Sequence, residues 1–125
     1  MKFKNIQYIK PGLPYVLLAA CCCAGSFLSA QVFVSPGTHM KIVAEATVSS
    51  AQDVTVSNTG MLSIDGNLVL KGNFTNQNPE INHGIGTLSF AGNQIQTLAG
   101  PNSIGSLIIN NANGVNLDGN TTLTD

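Results

Sequence analysis

Apolar and polar residues alternate along much of the chain after its first thirty residues. In the stretch GMLSIDGNLVLKGNF five large apolar residues fall at even positions, with Ser, Asp, Asn and Gly among the residues between them: Leu62, Ile64, Leu68, Leu70 and Phe74. A period of two is typical of β-strands that have one buried face. The shorter stretches VFV, VTV, TLSF and SLIIN have the same character, and Gly, Asn, Pro and Asp recur too often for long helices. The pattern therefore predicts an all-β protein.

A short phrase recurs along the chain. GMLSIDGN and GTLSFAGN share Gly, Leu, Ser, Gly and Asn in register, and GVNLDGN repeats the ending. The Gly-Asn pairs of the three copies begin at Gly66, Gly92 and Gly119. Their even spacing is typical of solenoids and other repeat architectures. We expect a right-handed parallel β-helix, or β-solenoid, with coils of about 26–27 residues that stack strand upon strand.

The three repeat glycines are expected at corners that need a positive φ, with the adjoining asparagines stacked as hydrogen-bonded ladders. An antiparallel β-meander or sandwich is the alternative, because Asp65-Gly66 between alternating runs also favours a two-residue hairpin turn. The middle copy has Ala91 where the first has Asp65. A corner that recurs without Asp-Gly favours the solenoid.

The first thirty residues have the three-part pattern of a secretory signal peptide. Three of the five lysines lie near the N-terminus, an apolar stretch follows over 15–28, and Ser29 and Ala30 are small. We predict cleavage near Ala30, which divides the chain into a signal peptide, 1–30, and a solenoid segment, 31–125. The apolar stretch is shorter than the roughly 20 residues of a bilayer span, so we expect no transmembrane span in the mature chain.

Cys21, Cys22 and Cys23 are adjacent and are the only cysteines in the sequence. Cleavage after Ala30 removes all three, so the exported protein would contain neither a disulfide nor a thiolate metal site. The alternative is a lipoprotein anchored at Cys21, because Leu18-Ala19-Ala20-Cys21 resembles a lipobox.

The balance of charge excludes one class of function. The sequence contains no arginine, and from Gln31 onward two lysines stand against six acidic residues. Binding to the phosphates of nucleic acids requires clustered Lys and Arg. We expect no nucleic-acid partner.

Two long stretches resemble a known kind of repeat protein. VTVSNTGMLSIDGNLVLKGNFTN and GTLSFAGNQIQTLAGPNSIGSLIINNANGVNLDGN are similar to the repeat region of exported bacterial β-helix surface proteins, adhesin-like exoproteins often carried by the type IX secretion system. The resemblance implies a cell-surface role and a C-terminal sorting domain, which the sequence after Asn120 does not supply. We therefore expect either the N-terminal portion of a longer protein or a truncated reading frame, incomplete at the C-terminus, whose open solenoid end self-associates.

Residues that could carry chemistry are sparse. His39 and His83 are far apart in the sequence, with no cysteine to join them in the mature chain. Asp65 and Asp118 occupy equivalent repeat positions, but the intervening coil has Ala91, so the carboxylates would be about 9–10 Å apart, too far to share a calcium ion. We predict no catalytic, cofactor-binding or metal residue.

The sequence thus favours a secreted or cell-surface structural and adhesive protein that is not an enzyme and that contacts glycans or other surface components. The alternative is the N-terminal part of a carbohydrate-active β-helix enzyme, a polysaccharide lyase or glycosidase. Such an enzyme needs converging acidic or basic side chains, and the segment has isolated ones.

Overall fold

The structure is a computed structural model that describes residues 31–79 and 84–124. The predicted signal peptide, the three cysteines and His83 lie outside these residues. The described chain forms thirteen short strands: β1 Val32–Val34, β2 His39–Ile42, β3 Thr47–Ser50, β4 Val54–Val56, β5 Met61–Ile64, β6 Asn67–Leu70, β7 Phe74–Asn76, β8 Thr87–Phe90, β9 Gln96–Ala99, β10 Asn102–Ile104, β11 Ser106–Ile109, β12 Val115–Asp118 and β13 Thr121–Leu123.

The strands wind into a three-sided solenoid of about four turns, and every pairing between described strands is parallel. The first face carries β1, β4, β7, β9 and β12 in that order. The second face carries the pairs β2-β5 and β10-β13, and the third face carries β3, β6, β8 and β11. The predicted all-β fold of stacked parallel strands is confirmed, and the antiparallel alternative is wrong.

The coils are shorter than predicted. Residues that stack on one another on the first face are Val32, Val54, Phe74, Leu98 and Leu117. Those that stack on the third face are Thr47, Asn67, Thr87 and Ser106. Both series advance by about 20 residues per coil, at the short end of the range for repeat proteins. The longer predicted coil is therefore wrong.

The repeated phrase does not stack on itself. Gly66 lies between the second and third faces, Gly92 between the third and first, and Gly119 between the first and second. The distance along the chain from one copy of the phrase to the next is therefore one coil plus one side. Every side of the solenoid needs alternating apolar residues followed by a tight corner, so the same phrase serves at different corners.

The inward residues of the strands form one continuous apolar core. All five residues singled out by the alternating pattern are buried, and Leu88, Phe90 and Leu98 are inaccessible to solvent, at 0% exposure. The full buried set is Val34, Ile42, Val54, Val56, Leu62, Ile64, Leu68, Leu70, Phe74, Leu88, Phe90, Leu98 and Ile104. On each face of the solenoid, alternate side chains of a strand thus point into the core, and the side chains between them point outward.

A ladder of small residues forms the corner before the third face. Ala46, Gly66, Gly86 and Gly105 occupy this corner in successive coils. A Cβ atom on Gly66 would clash with the carbonyl oxygen of Ala46, which accepts the Asn67 N–H at 2.8 Å. The expected positive φ is found at Gly119, at 128°, but not at Gly66 or Gly92. Gly66 is required by the close approach of two backbones instead.

Buried amides hold the corner between the third and first faces. Gln96 is 2% exposed, and its Nε2 donates to the carbonyl oxygens of Leu70, at 3.2 Å, and Gly72. Its Oε1 accepts the Gly92 N–H at 2.8 Å and the Asn111 amide at 2.9 Å. One side chain thus connects three successive corners, and all its hydrogen-bonding capacity is used.

The predicted ladder of Asn67, Asn93 and Asn120 is wrong. These asparagines lie at three different corners and are exposed. The buried asparagines are others, such as Asn76 and Asn78, which bond to the backbone of neighbouring coils.

Candidate interaction surfaces

The two carboxylates that the repeat made equivalent lie apart. Asp65 follows β5 in the second coil, whereas Asp118 ends β12 on the first face of the last described coil, beside Ala99. The predicted equivalence fails because the repeated phrase advances by one side as well as one coil. His39 is exposed at the start of β2.

Asp65 is paired with a lysine of the preceding coil. The Lys41 Nζ donates to the Asp65 Oδ2 at 2.9 Å, and both side chains are partly exposed. This hydrogen bond, together with the positive charge, holds the pKa of the Asp65 carboxyl below its ordinary value, although desolvation opposes the shift. The ion pair links two coils. A general acid at neutral pH needs a raised pKa, whereas the pKa of the Asp65 carboxyl is lowered.

Within residues 31–79 and 84–124, no group of three or more His, Cys, Asp or Glu side chains is placed to hold a metal ion. None of the described residues forms a helix that could span a bilayer.

Two shallow grooves lie at corners of the solenoid. One has a volume of about 270 Å³ and lies beside Asn58, Met61 and Pro79, and the other has a volume of about 180 Å³ and lies beside Lys71 and Asn93. Both are smaller than most small-molecule sites.

The outer side of the third face is a regular array of small uncharged side chains. Each strand contributes two outward residues: Thr47 and Ser49, Asn67 and Val69, Thr87 and Ser89, and Ser106 and Ile108. All eight are exposed or half-buried. Neighbouring coils in such a sheet are about 4.8 Å apart, and outward residues on one strand about 6.6 Å apart. We call these eight residues the hydroxyl face.

The first face has a different outer side. Its outward residues include the carboxylates Asp53 and Asp118 and the exposed ring of Phe33. Two of its polar side chains bind the backbone of the next coil: the Asp53 Oδ1 accepts the Asn73 N–H at 2.7 Å, and the Asn73 Oδ1 accepts the Thr97 N–H at 2.8 Å. This side therefore carries charge, which the hydroxyl face lacks. The hydroxyl face also has a bond between coils, from the Asn67 Nδ2 to the Thr47 Oγ1 at 3.5 Å.

The hydroxyl face was not located from the sequence. The sequence feature that marks this face is a second repeat of four residues, which recurs once per coil between Ala46 and Ile108 as ATVS, GNLV, GTLS and GSLI. Its positions are short and varied, and the longer Gly-Asn phrase masked it.

The last described coil leaves inward residues uncovered. Ile109, Leu117 and Leu123 occupy inward positions on β11, β12 and β13 but are 51%, 57% and 54% exposed. Their partners one coil earlier, Phe90, Leu98 and Ile104, are 0%, 0% and 4% exposed. We call Leu107, Ile109, Val115, Leu117 and Leu123 the end face.

Comparison of the chain with protein-family models, with curated proteins and with solved structures finds no match.

Proposed function

We propose that this chain is a structural and adhesive segment of a bacterial surface protein of the adhesin-like, type IX-secreted kind, and that it contacts glycans without catalysing a reaction. The observation that supports the proposal is the hydroxyl face, an uncharged outer surface that continues over four coils on a rigid sheet.

The chemistry of this face suits a neutral polyhydroxylated ligand. Its Ser and Thr hydroxyls and the Asn67 amide can both donate and accept hydrogen bonds, as sugar hydroxyls do. The methyl groups of Val69 and Ile108 can pack against the apolar sides of sugar rings. A flat array cannot enclose a small molecule, so an extended polysaccharide is the better match.

Single contacts on such a surface are weak because most of the ligand stays in water. Useful adhesion would come from many sugar units, or many molecules, acting together. We further propose that the protein is exported by a signal peptide cleaved near Ala30 and that it self-associates through the end of the solenoid, which would multiply the faces presented.

Retention on insoluble neutral polysaccharides, such as cellulose, chitin and mannan, tests the proposal. Thr87→Lys puts a charge in the middle of the hydroxyl face, and Thr75→Lys is the matched control, a half-buried outward threonine on the first face. We expect Thr87→Lys to weaken retention about tenfold or more, because desolvating an unpaired ammonium costs more than about 1.4 kcal/mol. The control should bind like the unmodified protein.

Equal retention of the two variants, or binding of none of the polysaccharides, would show that the hydroxyl face is not the adhesive surface. Release of soluble sugars would support the enzyme alternative instead.

The intact mass of protein recovered outside the cell tests the proposal of export. We expect an N-terminus at Gln31, and a mature protein that begins at an acylated Cys21 would contradict the proposal.

A further inference from the structure

The hydroxyl face consists of two rows that run along the solenoid axis, with one residue of each row in every coil. The residues of the first row, which can all form hydrogen bonds, are Thr47, Asn67, Thr87 and Ser106. The second row alternates a hydroxyl with an aliphatic side chain, in the order Ser49, Val69, Ser89 and Ile108. The chemistry of the second row therefore repeats every two coils, or about 9–10 Å.

Backbone hydrogen bonds fix the spacing of these rows. The N–H group that begins each of β6, β8 and β11 donates to the carbonyl oxygen of the small corner residue in the coil before it, at 2.8, 2.8 and 2.9 Å. The four strands pair residue for residue, with no bulge or change of register. Neighbouring residues of a row are therefore held about 4.8 Å apart along the whole face.

The uncharged surface is narrow across the strands and long along the axis. Asp65, with its partner Lys41, lies at the corner before the third face, and Lys71 follows β6 at the corner after it. A polysaccharide lying across the strands would reach these charged corners after about two outward residues. A polysaccharide lying along the axis stays on uncharged side chains for four coils, so the axial direction gives more contact.

Extended β-1,4-linked glycans match the period of the second row. Their equatorial linkages form a flat ribbon, in which each sugar unit advances by nearly the distance between coils and is turned over relative to the unit before it. Each edge of the ribbon therefore alternates ring hydroxyls with the carbon outside the ring. Ser49 and Ser89 can bond to the ring hydroxyls, and Val69 can pack against the carbon between them. Glycans with α-1,4 linkages coil into helices and present no such straight edge.

We infer that the hydroxyl face binds extended β-1,4-linked glycans, with the glycan chain along the solenoid axis and one sugar unit on each coil. The inference rests on the proposed function, since it names the class of glycan and its direction on the same face. Because each unit makes few contacts, the affinity accumulates along the glycan chain.

Binding of oligosaccharides of increasing length tests the inference, with affinities taken from nuclear magnetic resonance titration of the full chain. For β-1,4-linked glucose oligomers of two to six units, we expect the affinity to rise with each unit up to four, one for each coil of the face, and then to level off. Oligomers of the same sugar with α-1,4 linkages should bind at least about tenfold more weakly.

Two variants test the direction of the glycan and the role of the second row. Thr47→Lys removes the first coil of the face, so the affinity should level off at three units and that for the trisaccharide should be unchanged. Ser89→Ala should weaken binding of the tetrasaccharide about fivefold, the effect of one lost hydrogen bond. Thr75→Lys and Thr75→Ala are the matched controls on the first face, and both should bind like the unmodified protein.

Equal affinity for the two linkages, no dependence on length, or an unchanged limit of four units in Thr47→Lys would overturn the inference. Circular dichroism should show that Thr47→Lys keeps its strand content, because the side chain is exposed. If it does not, Ser106→Lys at the other end of the face takes its place.

Retention on insoluble polysaccharides separates this inference from the proposed function. If Thr87→Lys still weakens retention while the oligomers show no preference for linkage, the proposed function stands and the inference fails. If neither the oligomers nor the insoluble polysaccharides bind, both fail.

Discussion

Replacing Gln96 by leucine should destabilise the protein far more than the same change at a neighbouring glutamine. The Gln96 side chain satisfies the carbonyl oxygens of Leu70 and Gly72, the N–H of Gly92 and the amide of Asn111. Leucine fills nearly the same space but can neither donate nor accept a hydrogen bond.

The magnitude follows from which partners have a second bond. The Leu70 carbonyl also accepts the Ala91 N–H at 2.7 Å, and the Asn111 amide also donates to the Gln94 carbonyl at 2.6 Å. The Gly72 carbonyl and the Gly92 N–H depend more fully on Gln96. Two unsatisfied groups cost about 1–3 kcal/mol each, and the added apolar burial offsets about 1–2 kcal/mol. We expect a net loss of about 2.5 kcal/mol in the free energy of unfolding, the middle of a range of about 0–5 kcal/mol.

Urea unfolding followed by far-ultraviolet circular dichroism measures this loss. Gln94→Leu is the matched control, because Gln94 is exposed at the same corner and its backbone carbonyl is unchanged. Gln96→Glu adds a second check: it is isosteric, but its carboxylate faces two carbonyl oxygens, so the variant should be less stable at neutral pH than at a pH low enough to protonate it. A Gln96→Leu variant as stable as the Gln94→Leu control would refute the reasoning.

Two further predictions concern contacts between the coils. Gly66→Ala should lower the free energy of unfolding by about 3 kcal/mol or more, because the added Cβ meets the Ala46 carbonyl and disturbs its hydrogen bond to the Asn67 N–H. Gly37→Ala should lower it by only about 1 kcal/mol, because Gly37 has a φ of 70° but open space around it. Comparable thermal stability of the two variants would contradict this prediction. The low pKa of the Asp65 carboxyl gives stability that is complete above the ordinary aspartate pKa of about 3.9 and is lost as the pH falls through the lower folded value. Lys41→Gln should reduce this acid sensitivity in urea unfolding at pH 5 and pH 3, and an unchanged pH dependence would show that the pair is not its cause.

The sequence by itself determined the fold class and the inner side of the coils. Leu62 and Ile64, and likewise Leu68 and Leu70, are two residues apart, and in a strand alternate side chains must point to opposite faces. Frequent Gly and Asn between short alternating runs require turns. These two facts predicted the all-β fold, and the recurrence of the Gly-Asn phrase favoured the solenoid over hairpins. The structure buries all four of these residues.

The tertiary structure decided how the runs stack. Period and register depend on which strand lies above which, and the same local phrase is compatible with all three sides of the solenoid. Asn67 therefore lies level with Thr87 and not with Asn93. The coil length expected from the Gly-Asn phrase was too long by one side of the solenoid. For the same reason Asp65 and Asp118 do not occupy equivalent positions.

The surfaces proposed as functional also depend on this stacking. Thr47, Thr87 and Ser106 are inconspicuous in the sequence, and they form one row only because the winding of the chain places them above one another in successive coils. Leu117 and Leu98 have the same inward position, yet one is 57% exposed and the other 0%, because a described coil covers only Leu98. Alternation tells which side of a strand a residue faces, and the fold alone decides what lies against it.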